Sequence, residues 1–532
     1  MRKALLAVLL GVAACSDPGS NPSLCDQQPP PAECNATCDP AGGMPFCPAG
    51  FHCLPSGHCD FECTQGGSEC GAGRHCTPDG RCIDDGQCTG LECQVVNCTA
   101  MSMPPTTITG TVYAPNGSLP LYGVNVYIPN GALPDLVEGA VCDRCQDTLP
   151  GAPIVKTQTD ENGHFRLENV PAGANIPLVI SSGKWRRTLS LTTVPQCAET
   201  QLPATDSRLP KNASEGHMPK IAISTGSADA LECLVRKLGI DDAEMGTDGD
   251  ARRIHLYTDS GSGGGQGAAS FAGGFPGGSG NFANSTTLWN DTNKMKDYDI
   301  VIFSCEGGQH PETKSQAAMD AVKAYADLGG RVFLSHWHNV WIEGSTQGGG
   351  NQAPAVWSGA NGIAQWNNAN TTFNTPPDTI DEQHNPKGSS FADWMVAVGG
   401  STTRGQIEIG AGTGKNTCQS VDNAKAERWV YWNNGGTEYP QNFQFTTPNE
   451  AAADARCGKV VFSDMHVSGD SDSSPGTPFP GQCSTQPLTP QEKALAFMFF
   501  DIATCVGPPI GKPAGGADDD DGDPAAQVSL PE

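Results

Sequence analysis

Cysteine constrains this chain more than any other residue type. The sequence has 23 cysteines in 532 residues. Cys15 stands apart, at the end of a short apolar run. The other 22 are an even number, as expected of an exported chain whose thiols are oxidised in pairs. Thirteen of them lie between Cys25 and Cys98, and nine between Cys142 and Cys505. Both counts are odd, so complete pairing requires at least one bridge from the cysteine-rich N-terminal part to the rest. A chain of this length predicts several domains. Its net charge of −27, from 58 acidic and 31 basic residues, repels phosphate backbones and anionic lipid. That disfavours nucleic-acid binding and suits a solvated surface protein.

The apolar run Ala4 to Gly11 follows Arg2 and Lys3 and leads into Val12-Ala13-Ala14-Cys15. A basic start, a short apolar segment and small residues describe a secretory signal, too short to span a bilayer as a helix. With a cysteine after the cut, it resembles a bacterial lipoprotein signal. The resemblance implies cleavage before Cys15, lipidation of that residue and an extracytoplasmic protein held by its acyl chains. Each buried methylene contributes about 0.8 kcal/mol. Ser16, in place of Asp, implies the outer membrane or cell surface. No later stretch is apolar over enough residues to be transmembrane.

A repeat follows. Cys47-Pro-Ala-Gly-Phe-His-Cys53-Leu-Pro-Ser-Gly-His-Cys59 returns as Cys70-Gly-Ala-Gly-Arg-His-Cys76-Thr-Pro-Asp-Gly-Arg-Cys82. So few bulky apolar residues cannot build a core, so disulfides must hold the fold, at about 2–4 kcal/mol each. His52 and His75 beside cysteines invite a zinc reading, but an oxidising compartment favours disulfides. The module resembles the EGF-like stalk repeats of secreted proteins.

From Thr106 strand signals begin. Ile108 to Tyr113 and Val124 to Ile128 alternate apolar and polar residues, with Pro115-Asn116-Gly117 predicting a hairpin turn between them. Asp160-Glu161-Asn162-Gly163 predicts a second turn; it lacks the later ligands of a calcium loop. Cys142-x-x-Cys145 is read as structural. Lys184-Trp185-Arg186-Arg187 is a basic island suited to capping a sheet face or meeting an acidic neighbour. Gly110-x-Val112, Gly123-Val124-x-Val126, Thr159-Asp160-x-x-Gly163-x-Phe165 and Val170-Pro171-x-Gly173 together resemble the carboxypeptidase regulatory-like domain. That family has a transthyretin-like antiparallel β-sandwich and a carbohydrate-binding-like fold. The insertion at 129–154 departs from it.

Beyond Lys220 short apolar runs alternate with helical segments. The strands are Ile221–Thr225, Arg253–Tyr257, Asp299–Ser304, Val332–Ser335 and Lys459–Phe462. A helix from Ala228 to Leu238 stops at Gly239, and one carrying Ala317, Met319, Val322 and Tyr325 stops at Gly329-Gly330. The last helix opens on Thr489-Pro490-Gln491-Glu492, with cap, Pro and capping-box Glu, and runs to Ile502 with an apolar face. This alternation predicts an α/β domain of flavodoxin-like type, with a parallel sheet covered on both faces. Residues 343–456 form a long irregular insertion, and Asp518 to Asp521 mark a solvated tail. The expected organisation is signal 1–15, cysteine-rich module 16–104, β-sandwich 105–210, α/β domain 218–506 and acidic tail 507–532.

In an open α/β sheet ligands bind beyond the carboxyl ends of the strands. Those ends carry Ser227 and Asp229, Cys305 and Glu306, His336 and His338, and Asp464 and His466. A catalytic reading makes Cys305 the nucleophile and His466 or His336 its base, with Asp464 completing the set. Oxidation opposes it, and Cys233 is a natural partner for Cys305. A metal reading takes His336, His338, Asp464 and His466 as ligands of Zn²⁺ or a similar divalent ion. It needs the chain to have turned by His338, because alternate strand residues face opposite sides.

Tyr298-Asp299-Ile300-Val301-Ile302-Phe303, Gly329-Gly330-Arg331-Val332-Phe333 and Gly458-Lys459-Val460-Val461-Phe462-Ser463-Asp464-Met465-His466 resemble the class I glutamine amidotransferase-like fold, nearest its trehalose-utilisation branch. That family places its nucleophilic Cys in the turn after the strand matching Val332–Ser335. Here the turn reads Ser335-His336-Trp337-His338, without Cys, and Cys305 falls in the glycine-rich loop on the oxyanion side.

Eight of nine tryptophans lie after residue 288. Trp337, Trp341, Trp357 and Trp366 are read as candidates for stacking on sugar rings, against the alternative of an insertion packed around its own tryptophans. The first reading is a non-enzymatic, lipid-anchored surface protein for carbohydrate binding or adhesion, with polysaccharide or a surface protein as partner. The second is an extracytoplasmic hydrolase acting on a sugar or amide at the rim of the α/β sheet.

Overall fold

A computed structural model describes residues 90–507, except 146–148, 259–266, 347–349, 368–375, 411–412 and 468–475, together with short stretches between 36 and 88. The signal segment with Cys15 and the Asp-rich tail lie outside the described residues. The chain divides into two compact units, Met1–Thr89 and Gly90–Glu532.

In the first unit the two repeats make the same small ribbon. His52–Cys53 pairs with Cys59–Asp60, and Arg74–Cys76 with Cys82–Asp84. The register sets Cys53 opposite Cys59 and Cys76 opposite Cys82. Disulfides Cys38–Cys53 and Cys70–Cys82 brace these turns.

The second unit opens with a β-sandwich. Its strands are β1 (Thr107–Thr111), β2 (Asn125–Pro129), β3 (Pro153–Gln158), β4 (His164–Glu168), β5 (Gly173–Ser182), β6 (Trp185–Val194) and β7 (Glu199–Gln201). One sheet runs β6-β5-β2-β3 and the other β7-β1-β4. β4 alternates exposed and buried residues, with Phe165 and Leu167 inward, as a half-buried strand must. The turn at 115–117 closes only a short antiparallel ladder, with the Ala114 N–H donating to the Leu119 carbonyl and the Leu121 N–H to the Val112 carbonyl; it does not pair β1 with β2, which belong to opposite sheets. The turn at Asp160 likewise links two sheets. Its carboxylate accepts the Asn162 and His164 N–H groups, each at 2.8 Å, a turn role that uses the side chain a calcium loop would need. The predicted odd bridge is Cys98–Cys197, which staples the segment after the repeats to the end of β6.

The α/β part contains β8 (Ile221–Ser224), helix α1 (Leu231–Lys237), β9 (Ile254–Thr258), β10 (Ile300–Phe303), helix α2 (Gln316–Asp327), β11 (Arg331–Ser335), helix α3 (Gly388–Ala397), β12 (Glu427–Asn434), β13 (Thr437–Thr447), β14 (Gly458–Ser463) and helix α4 (Pro490–Ile502). Strands β9, β8, β10, β11 and β14 lie side by side, all parallel. β13 and β12 then continue the same 11-stranded sheet antiparallel. The insertion is thus not irregular: its hairpin extends the sheet. The Gly435-Gly436 pair between two apolar-aromatic runs, both glycines at positive φ, is the signal that marks it. Alternate residues of each parallel strand serve two cores. Ile221, Ile223 and Ile302 join α1 and α4 on one face. Ala222, Val301 and Phe303 join α2 on the other.

Helix α4 carries the predicted capping box, Thr489 with Glu492, and Pro490 in its first turn. It is buried all round, not on one face. One side packs on the parallel sheet. The other meets the sandwich, where Trp185 packs against Phe499 and Phe500 at 6.4 and 6.1 Å and Tyr122 stacks on Phe497. The basic island finds an acidic neighbour, Lys184 pairing with Asp299. Gly239, at φ +92°, ends α1 and lets the 115–117 turn close in: a Cβ there would stand 2.2 Å from the Asn116 nitrogen.

Both cysteines of Cys142-x-x-Cys145 are structural. They bridge to Cys457 and Cys505, across 315 and 360 residues, tying the sandwich's own insertion to the α/β domain. Replacing Cys142 and Cys145 together by Ser is expected to destabilise the unit by about 3–5 kcal/mol. Thermal unfolding of wild type and variant, with limited proteolysis between the two domains, checks this; an unchanged Tm would contradict it.

Candidate functional site

The carboxyl ends of β8, β10, β11 and β14 meet at one rim. Cys305 follows β10 by two residues, His336 follows β11 directly, and His466 lies three residues past β14. His336 is the pivot. Its backbone sits at φ +41°, an uncommon region for a side chain other than glycine, and the strand breaks there into the short helical turn His336–Asn339. The bend turns the imidazole onto its neighbours. His336 Nδ1 lies 3.0 Å from His466 Nε2 and 3.5 Å from Cys305 Sγ. All three side chains are buried, at 0, 2 and 8% exposure for Cys305, His336 and His466.

The backbone encloses the sulfur. The Gly307 N–H points to Cys305 Sγ at 3.4 Å, and the Trp337 N–H donates to it as well. Gly226 passes so close that a Cβ there would lie 2.3 Å from the Cys305 carbonyl oxygen, so that position demands glycine. Asp229 clamps two strand ends. Its carboxylate accepts the Ser335 hydroxyl and, at 2.9 Å, the Val467 N–H. Burial dominates the electrostatics. It pushes the Cys305 thiol up to about 12 and the Asp229 carboxyl up to about 7. Burial, with Lys415 nearby, brings His466 down to about 3. Burial, His466 and Lys415 hold His336 well below the usual imidazole range. Burial thus disfavours a thiolate–imidazolium pair among the three side chains.

The rest of the sequence-derived set goes elsewhere. The Nε2 atom of His338 bonds the Ser304 carbonyl at 3.0 Å, and its Nδ1 accepts from Trp341 Nε1 at 2.9 Å. Both nitrogens are occupied, so His338 is no ligand. The turn at His336 separates the two histidines instead of aligning them. Asp464 accepts the Cys418 N–H at 3.0 Å and is not among the side chains gathered round the sulfur. It is neither the third member of a triad nor a ligand of that cluster. Cys233 pairs with Cys483. Two cysteines among the described residues are free, Cys305 and Cys418, both fully buried. Parity permitted two free thiols but could not name them.

The tryptophans do not form a stacking face. Trp337, Trp341 and Trp357 are buried. Trp357 packs edge-on to Phe445 at 5.3 Å, and the half-buried Trp366 edge-on to Phe462 at 5.0 Å. Their bulk fills the interior that the insertion needs. Sequence reasoning missed a cavity of about 370 Å³ at the junction of sandwich and α/β domain. Tyr122, Tyr127, Val137, Arg186 and Phe497 line it. Tyr127 Oη and Arg186 Nη1 have no hydrogen-bond partner. Burial, opposed by Arg186, pushes the Tyr127 hydroxyl up to about 12. No local motif announces it, because its walls come from two domains.

No protein-family model matches this chain, and no curated protein does. Two solved structures are similar in part, both mutants of a type II cohesin–X-dockerin complex from Acetivibrio cellulolyticus. The C-terminal interface mutant is 15% identical over 27% of this chain and 78% of that one, with a TM-score of 0.14. The N-terminal interface mutant is 17% identical over 26% and 85%, with a TM-score of 0.15. Likenesses of that size assign neither fold nor function.

Two measurements test this site and its surroundings. Alkylation followed by peptide mass spectrometry is expected to label neither Cys305 nor Cys418 in the native protein and both after unfolding; rapid native labelling of Cys305 would contradict its enclosure. The second concerns Asp378, a buried residue of the insertion whose two carboxylate oxygens lack partners. Burial raises its carboxyl from 3.8 to about 7. Its stabilising contribution is complete below the unfolded value and is lost as pH rises to the folded one. Asp378→Asn should therefore match wild type near pH 4 and exceed it by a few kcal/mol at pH 8 in urea unfolding.

Proposed function

We propose that this chain is an exported, lipid-tethered surface protein that works by binding, in carbohydrate recognition or adhesion, and not by covalent catalysis at the rim of its parallel sheet. The disulfides accord with an oxidising, extracellular setting. Among the described residues no helix is long and apolar enough to cross a membrane, which leaves the Cys15 lipid as the proposed anchor. The strand order β9-β8-β10-β11-β14 is the flavodoxin-like order 2-1-3-4-5. It supports reading this domain as an amidotransferase-like scaffold, with the β-sandwich as a carboxypeptidase regulatory-like domain.

The observation that carries the binding reading is the junction cavity. Ligand sites favour domain interfaces, with apolar and aromatic walls and a few polar groups to fix orientation. Here Tyr122, Val137 and Phe497 supply the walls, and the Tyr127 hydroxyl and the Arg186 guanidinium, whose Nη1 is unpartnered like Tyr127 Oη, the polar groups. Cys305, the one thiol at the rim, is sealed beneath backbone and side chains, where an acyl or glycosyl substrate does not reach its sulfur. A glycan array and polysaccharide pull-down with the wild-type protein are expected to give binding that Arg186→Ala weakens by about 1–3 kcal/mol. Uniformly blank results would overturn the reading. Turnover of a sugar or amide substrate that Cys305→Ser abolishes would establish the hydrolase instead.

A further inference from the structure

We propose that Cys305, His336 and His466 form a three-ligand site for a borderline-soft d-block cation, Zn²⁺ or copper. The proposal stands on geometry. The three donor atoms, each from the loop after a different parallel strand, lie within 4.8 Å of one another. Ligands bound tetrahedrally to zinc at ordinary Zn–N and Zn–S lengths stand about 3.3 Å apart for two nitrogens and about 3.6 Å for nitrogen and sulfur. His336 Nδ1 stands 3.0 Å from His466 Nε2 and 3.5 Å from Cys305 Sγ; the remaining pair, Cys305 with His466, lies within the 4.8 Å that bounds the group and closes up on coordination. A thiolate with two imidazoles is the donor set that zinc and copper share.

The surroundings suit a bound thiolate. Two backbone N–H groups, from Gly307 and Trp337, donate to the sulfur, the kind of outer-shell bond that tunes a metal-bound sulfur. The carboxylates of Asp229 and Glu306 act electrostatically on Cys305 and offset the added positive charge. Lys415 faces the same group and opposes it. The set departs from the histidine–carboxylate ligands that the sequence suggests: Cys305 takes the place of Asp464, and His338 is excluded by its two hydrogen bonds.

The test uses the full chain, stripped with chelator and titrated with Co²⁺. We expect one equivalent bound, with a thiolate-to-cobalt charge-transfer absorption and tetrahedral ligand-field bands. Cys305→Ser should lose the charge-transfer band and His466→Ala should weaken uptake by roughly tenfold or more. Cys418→Ser, which removes the other free thiol, should leave both unchanged. Displacement of Co²⁺ by Zn²⁺ or by copper then decides which ion is preferred. Wild-type protein that takes up no Co²⁺, or takes it up without the sulfur band, overturns the proposal even if the Cys305 variant does not fold. So does a band that survives Cys305→Ser or vanishes in folded Cys418→Ser.

Discussion

Everything in the larger unit leans on helix α4. A surface helix presents one apolar stripe, but Leu495 to Ile502 is apolar nearly all round, and such a helix is stable only when covered on every side. The parallel sheet covers one side. The other is covered by the sandwich, through Trp185 and Tyr122, and by the insertion, through Phe391, Trp394 and Trp429 around Phe497. The one polar residue near its end, Asp501, meets Lys387 and Lys459. Burial alone would raise that carboxyl, but the two ammonium groups hold it well below its usual range. Three parts of the chain thus share one helix as core.

The disulfides extend the same logic. Cys142–Cys457 and Cys145–Cys505 close very long loops across the junction, and Cys233–Cys483 fastens α1 to the segment before α4. Bridges of this kind remove freedom from the unfolded chain, most where the closed loop is long. Among the described residues the two thiols left free, Cys305 and Cys418, are both sealed in the interior. The Cys305–His336–His466 cluster hangs on the ends of β10, β11 and β14, which are hydrogen-bonded side by side in one sheet.

Much of this was legible in residues close together in the chain. The five parallel strands and the capping box of α4 fall where apolar runs and helix-start chemistry put them. Ala317, expected on the inner side of α2, is exposed, and Ala318 is buried instead. The hairpin of β12 and β13 carried a readable Gly-Gly signal between aromatic runs. The pairing of β1 with β4, and not with β2, was not legible, since an identical turn serves a hairpin or a crossover between sheets. The fate of the tryptophans was hidden for a similar reason. Ring stacking on a ligand and packing in a core draw on the same side chain, and only the surrounding chain decides between them.

Cysteine parity called for a bridge from the N-terminal part to the remainder on the condition of complete pairing; the structure has that bridge, Cys98–Cys197, although Cys305 and Cys418 stay unpaired. Strand endings by themselves brought Cys305, His336 and His466 to one rim, because a parallel sheet gathers its carboxyl ends on one edge. Which of the neighbouring residues point there was settled only in three dimensions. The left-handed bend at His336 turned one imidazole toward the sulfur and left His338 to bond Ser304 and Trp341. Backbone direction at a single residue is set by everything packed around it, and no pattern in the linear chain encodes it.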